Sequence, residues 1–143
     1  MKFVLDASIT LSWLLKDASA RDGPHAFAVL KALRVDGTTA DVPVTWGLEI
    51  ANVVARCEAK SQITEAQAEA FLEMLEALSI DIDSDTATHA LTDTLQLARR
   101  HRLSSYDASY LELALRTASP LATLDEDLRR AATRAGVKHY KPA

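Results

Sequence analysis

Short strand-like runs alternate along this chain with longer segments of helical period. Phe3-Val4-Leu5 is the first and is wholly apolar, and a strand of this kind is expected to be buried on both faces. Asp41–Val44, Ile80–Ile82 and Leu121–Leu124 read as further strands, and Val137–Tyr140 as a short last one. Helices are expected over Ser8–Lys16, from Pro24 to the stop at Gly37, and over Trp46–Lys60, where Ile50, Val53, Val54 and Cys57 form a stripe. Thr64 and Gln67 spell a capping box, followed by Ala68, Phe71, Leu72, Leu75 and Leu78 on the inward face. Asp85–His101 is expected to bury Ala87, Leu91, Leu95 and Ala98, Ser104–Thr117 to be buried widely, and Asp125–Ala135 to end at Gly136. Strands and helices in this alternation imply an α/β fold with a parallel sheet covered by helices.

The 143 residues suffice for one domain, residues 1–143, with no repeat or linker. At 48% hydrophobic residues the chain is expected to be globular, and its apolar runs are far too short to span a bilayer. An acid at position 6 comes too early for a signal peptide, and the lone Cys57 allows neither an internal disulfide nor a thiolate zinc site. A cytoplasmic location is therefore expected. The net charge of −4 equals the charge of one four-carboxylate site, and it excludes a basic coat protein for nucleic acid.

Ligands of parallel α/β sheets sit beyond the carboxyl ends of the strands. Asp6 directly follows the first strand and Asp125 the fourth. Glu49 is expected in the first turn of the helix after strand two, and Asp107 in the first turn of the helix entered from Arg102-Leu103-Ser104-Ser105. Four carboxylates from distant positions would thus meet at one edge. Each has a plainer reading alone: Asp6 and Asp125 as helix caps, Asp107 as the far end of a box begun by Ser104, Glu49 as a solvated acid. Crowded carboxylates repel unless a cation lies between them, and hard divalent ions take oxygen ligands. Acid-only sites of this kind suit phosphodiester hydrolysis. Elsewhere, His25, His89, His101 and His139 lack metal-ligand spacing, no glycine-rich phosphate loop exists, and Trp13 and Trp46 read as core or interface residues.

Four blocks carry a family resemblance: Phe3-Val4-Leu5-Asp6-Ala7-Ser8, Leu48-Glu49-Ile50-Ala51-Asn52-Val53-Val54, Ser104-Ser105-Tyr106-Asp107-Ala108-Ser109-Tyr110-Leu111 and Leu121-Ala122-Thr123-Leu124-Asp125-Glu126-Asp127-Leu128. In this order the chain resembles PIN-domain proteins of the VapC type, the toxins of bacterial type II toxin–antitoxin pairs. The resemblance implies a three-layer α/β/α sandwich with a mostly parallel sheet, and a Mg²⁺- or Mn²⁺-dependent endoribonuclease. It implies Asp6 and Asp107 as central metal ligands, Glu49 and Asp125 completing the pocket, and Thr123 as a supporting hydroxyl. Ser8 and Asn52 match secondary polar positions, and Asp127 is an additional acid or a first-turn helix residue. A homodimer, an RNA substrate and a cognate antitoxin are implied as partners. The alternatives are a PIN-like binding module that cleaves nothing, or a DNA nuclease or phosphatase using the same acids.

Overall fold

A computed structural model describes residues 1–15 and 23–143. The elements are β1 (Lys2–Leu5), α1 (Ala7–Ser12), α2 (Gly23–Leu33), β2 (Thr39–Val42), α3 (Thr45–Ala59), α4 (Glu65–Glu76), β3 (Ile80–Ile82), α5 (Thr86–His89), a π-helical turn (Ala90–Thr94), α6 (Leu95–His101), α7 (Ser105–Thr117), β4 (Leu121–Ala122) and α8 (Glu126–Arg134). The sheet order is β3-β2-β1-β4, and every pairing is parallel. All four strands therefore point their carboxyl ends the same way. This is the α/β architecture with a parallel central sheet that the alternation implies.

β1 is central, and Phe3, Val4 and Leu5 are fully buried. Removing a side chain of this size from water stabilises the fold by about 1.5–3 kcal/mol. The Tyr140 ring stacks on Phe3 at 3.8 Å. Both tryptophans are structural: the Trp46 indole donates to Thr10 Oγ1 (3.0 Å) and that of Trp13 to the Ala26 carbonyl (2.8 Å). The Thr64–Gln67 capping box forms with both of its bonds, and Cys57 is buried.

Several expected boundaries and faces move, each for a physical reason. β2 spans Thr39–Val42, not Asp41–Val44, because Pro43 has no N–H for the ladder and Val44 is exposed. β4 stops at Ala122 because Thr123 and Leu124 turn their polar groups into side-chain bonds instead. α1 runs from Ala7 to Ser12, short of the expected Ser8–Lys16, and Lys16 lies outside the described residues. The last strand reduces to a single parallel bridge between Leu121 and His139. Leu72 on α4 is exposed, not inward.

The largest change lies between Asp85 and His101. The π-helical turn inserts one residue, which rotates the downstream helix by about 100° relative to an unbroken α-helix. Thr94 and Leu97 are buried in consequence, while Leu91 faces solvent and Leu95 and Ala98 are half-buried; upstream of the turn, Thr86 is buried and Ala87 exposed.

Candidate active site

Asp6 takes the N-cap position of α1, yet its side chain makes no capping bond. Its Oδ2 instead accepts hydrogen bonds from Ser8 Oγ (2.6 Å) and Thr123 Oγ1 (2.7 Å). Each of these hydroxyls also accepts a backbone N–H: Ser8 from Leu124 (2.9 Å) and Thr123 from Asp125 (3.0 Å). Each hydroxyl has one proton and gives it to Asp6, which as a carboxylate only accepts. The short β4 thereby ties its following turn to the end of β1. Burial raises the Asp6 pKa most, the Asp125 charge raises it further, and the two hydroxyls oppose the shift.

Glu49 lies in the second turn of α3, not the first, because α3 begins at Thr45. Its Oε1 accepts a hydrogen bond from the Tyr110 hydroxyl (2.8 Å). Burial, with the charges of Asp6 and Asp107 behind it, pushes the Glu49 carboxyl up to about 7. Asp107 sits in the first turn of α7, where its N–H donates to Ser104 Oγ (3.1 Å). Burial and the charges of Asp125, Asp6 and Asp127 raise its carboxyl to about 6. Asp125 caps α8, its Oδ1 accepting the Leu128 N–H (2.9 Å). Asp6, Glu49, Asp107 and Asp125 thus come together at the carboxyl edge, linked by mutual repulsion across four separate elements.

The other expected residues differ in their placement. Thr123 and Ser8 are part of the cluster through Asp6. Asn52 is exposed on α3 and makes no side-chain hydrogen bond among the described residues. Asp127 is 78% exposed and paired with Arg130 at 2.6 Å, so it reaches Asp107 only as a distant charge. Tyr110 is a site residue that no sequence pattern marks. It is fully buried on α7, three residues after Asp107, and a buried tyrosine hydroxyl requires a partner on that face.

A second acidic group shows what a neutralised arrangement looks like in this molecule. Asp83 follows directly on β3, just as Asp6 follows on β1. Arg116 clamps Asp83 through two bonds (3.1 and 2.6 Å) and Glu112 through two more (2.8 and 3.0 Å). The Arg116 hydrogen bonds hold the Asp83 carboxyl below the usual range. Among the described residues no Lys, Arg or His forms an ion pair with Asp6, Glu49, Asp107 or Asp125. Nor, among them, are three or more His, Cys, Asp or Glu side chains set at metal-holding positions. The donors are hard oxygens without a counter-charge, and this chemistry fits a hard divalent cation better than a soft one. Glu49, ionising near neutrality beside a fixed hydroxyl donor, is suited to proton transfer.

The PIN domain family model matches residues 3–134. Two solved structures share the fold. One is PAE2754 from Pyrobaculum aerophilum, at 19% identity and a TM-score of 0.63 over 92% of this chain and 79% of that one. The other is VapBC2 from Rickettsia felis bound to a promoter DNA fragment, at 13% identity and a TM-score of 0.65 over 98% of both chains. No curated protein sequence matches the chain. No helix among the described residues is long and apolar enough to cross a membrane. With the parallel sheet, the acids at its carboxyl edge and the family match across nearly the whole length, the chain belongs to the PIN-domain family, whose members are nucleases.

Proposed function

We propose that this protein is a Mg²⁺- or Mn²⁺-dependent endoribonuclease and the toxin of a type II toxin–antitoxin pair, acting in the cytoplasm. The observation that carries the reading is the contrast between the two acidic groups. Asp83 and Glu112 have Arg116, whereas Asp6, Glu49, Asp107 and Asp125 have no basic partner among the described residues and repel one another. A divalent ion held there supplies both the missing positive charge and Lewis-acid activation for displacement at phosphorus.

The chain's own residues divide the remaining work. Asp6 and Asp107 would hold the ion, with Asp125 and Glu49 completing the oxygen set. Loading would draw these side chains together. Ser8 and Thr123 keep Asp6 in one orientation and favour its charged form. The Tyr110 hydroxyl holds Glu49, which would accept a proton as substrate is attacked.

Support for an antitoxin partner is chemical as well as structural. A cluster built for cations also accepts a guanidinium, and the fold resembles VapBC2 from Rickettsia felis. The protein is further read as a homodimer. The first helix and the residues after it are unusually apolar; Ile9 is fully buried, whereas Leu11, Trp13, Leu14 and Leu15 are half-buried and keep surface for a partner copy. Leu72 on α4 and Ile82 on β3 are also exposed and line a groove of about 540 Å³.

The deciding experiment incubates the protein with total RNA in Mg²⁺, in Mn²⁺ and in EDTA, and maps the cut ends. Cleavage only with metal, leaving 5′-phosphate and 3′-hydroxyl ends, is expected. Activity in EDTA, or 2′,3′-cyclic phosphate ends, would overturn the reading. Cleavage of DNA alone would favour the DNA nuclease, and no cleavage in any condition the silent binding module.

A further inference from the structure

The turn that leads into Asp107 is the most basic stretch of the chain. Arg99, Arg100 and His101 end α6, Arg102 caps it, and only Leu103 and Ser104 separate them from α7. The connection is closed by backbone bonds. Arg102 adopts the left-handed conformation (φ 54°), Leu103 N–H donates to the Ala98 carbonyl (3.1 Å), and Ser104 caps α7. The arginines thus have no hinge between them and Asp107. Their chain separation bounds the distance from Arg102 to Asp107 at about 17 Å fully extended, and a helical turn shortens it.

α8 brings a further cation to the same place. Burial lowers the His101 pKa most, and the charges of Arg134 and Arg100 then lower it further, so guanidiniums from α8 and α6 reach one imidazole. Arg99, Arg100, Arg102 and Arg134 are all exposed. Among the described residues none of the four pairs with a carboxylate, whereas Arg129 and Arg130 on the same helix pair with Glu126 and Asp127. Arg100 and Arg134 both act on His101, Arg99 and Arg102 lie within two residues of it in the chain, and an anionic partner relieves the repulsion among these unpaired guanidiniums.

The need for such a partner comes from the charge of the whole chain. At −4 the protein does not attract a polyanion globally, and the acidic cluster repels phosphate at close range. An RNA substrate must be gripped locally. We propose that Arg99, Arg100, Arg102 and Arg134 form a phosphate-binding surface that holds single-stranded RNA beside the acidic cluster and feeds it across Asp107. This rests on the nuclease reading for the identity of the substrate. The four arginines bind and position, and they take no part in bond breaking.

The test uses the full chain with Arg99→Gln, Arg100→Gln, Arg102→Asn and Arg134→Gln combined, Asn being tolerated in the left-handed position. A matched variant with Lys31, Arg34, Arg56 and Lys60 each changed to Gln removes the same charge elsewhere. Binding of a fluorescein-labelled single-stranded RNA is followed by anisotropy in EDTA across a salt series, and KM and kcat are measured in Mn²⁺. The slope of log affinity against log salt should become shallower by about 0.7 for each phosphate that is no longer neutralised. KM should rise about tenfold or more with kcat nearly unchanged, while hydrolysis of bis(p-nitrophenyl) phosphate, too small to span the surface, stays at the wild-type rate. The single variants Arg100→Gln and Arg134→Gln give the same readouts should the combined variant fold poorly.

Unchanged KM and salt slope in the combined variant, beside a wild type that cleaves RNA, would overturn the surface and leave the nuclease standing. Equal losses in the matched variant would also overturn it, because net charge alone would then be responsible. Loss of polyglutamate-peptide binding with RNA binding intact would assign the arginines to an acidic protein partner, against the proposal. RNA binding that vanishes in the variant, from a wild type that cleaves nothing, would support the surface and refute the nuclease.

Discussion

Asp6 is held by two hydroxyls, each of which accepts a backbone N–H and gives its single proton to the carboxylate. Changing Thr123 to Val removes one donor from buried Asp6 and strands the Asp125 N–H. We expect a loss of about 1–3 kcal/mol, read as a lower midpoint in urea unfolding. Asp107→Asn should behave in the opposite way. It relieves repulsion on Glu49, so the metal-free variant should melt no lower than the metal-free wild type. It should gain less from added Mn²⁺, because stabilisation follows occupancy, and should lose RNA cleavage. A variant that melted lower without metal and gained as much from Mn²⁺ would show that Asp107 is a structural residue.

At the scale of elements, the helices are placed by a few polar anchors as well as by apolar faces. The Arg116 clamp joins α7 to the end of β3, and Glu112 is only 4% exposed. Arg116→Met would leave two carboxylates without their partner. The expected cost is about 2–4 kcal/mol by chemical denaturation, somewhat below that of a fully buried pair because the guanidinium keeps some solvent contact. Because the clamp lies at β3, at the far edge of the sheet from β4, its loss should leave kcat nearly intact in the surviving folded protein. The π-helical turn works similarly: it puts Thr94 and Leu97 against α7, where an uninterrupted α-helix would put Asp93.

For the molecule as a whole, the acidic cluster couples folding, pH and metal. Without metal, Glu49 keeps its proton to about pH 7 and Asp107 to about 6. The unfolded chain releases those protons near pH 4. Between these limits the folded state binds more protons, so these two groups make stability fall as pH rises from about 4 to 7. His101 and His139, whose pKa values are lowered, act in the opposite sense below their ordinary value. The difference in melting temperature between wild type and Asp107→Asn isolates the acidic contribution. It should widen in favour of the variant toward neutral pH and reverse in saturating Mn²⁺. Metal binding near pH 6.5 should release protons, measurable by calorimetry in buffers of different ionisation heat. The homodimer is checked by sedimentation at micromolar concentration, where Leu72→Glu should favour the monomer.

The sequence alone determined the class of fold, the order of its elements and the edge at which the acids gather. Those features are local: a run such as Phe3-Val4-Leu5 can only be buried on both faces, and an acid directly after a parallel strand can only lie at its carboxyl end. The Thr64–Gln67 box was legible for the same reason, since both partners lie within one turn. Tertiary structure decided what depends on contacts between distant residues. Thr123 meets Asp6 across 117 positions, and that bond rather than any local preference ends β4. Tyr110 finds Glu49 across 61 positions. Asp83 and Asp6 look alike in sequence, each an acid just after a strand. Only the folded chain separates them, because Arg116 reaches Asp83 from α7 while no such cation among the described residues pairs with Asp6.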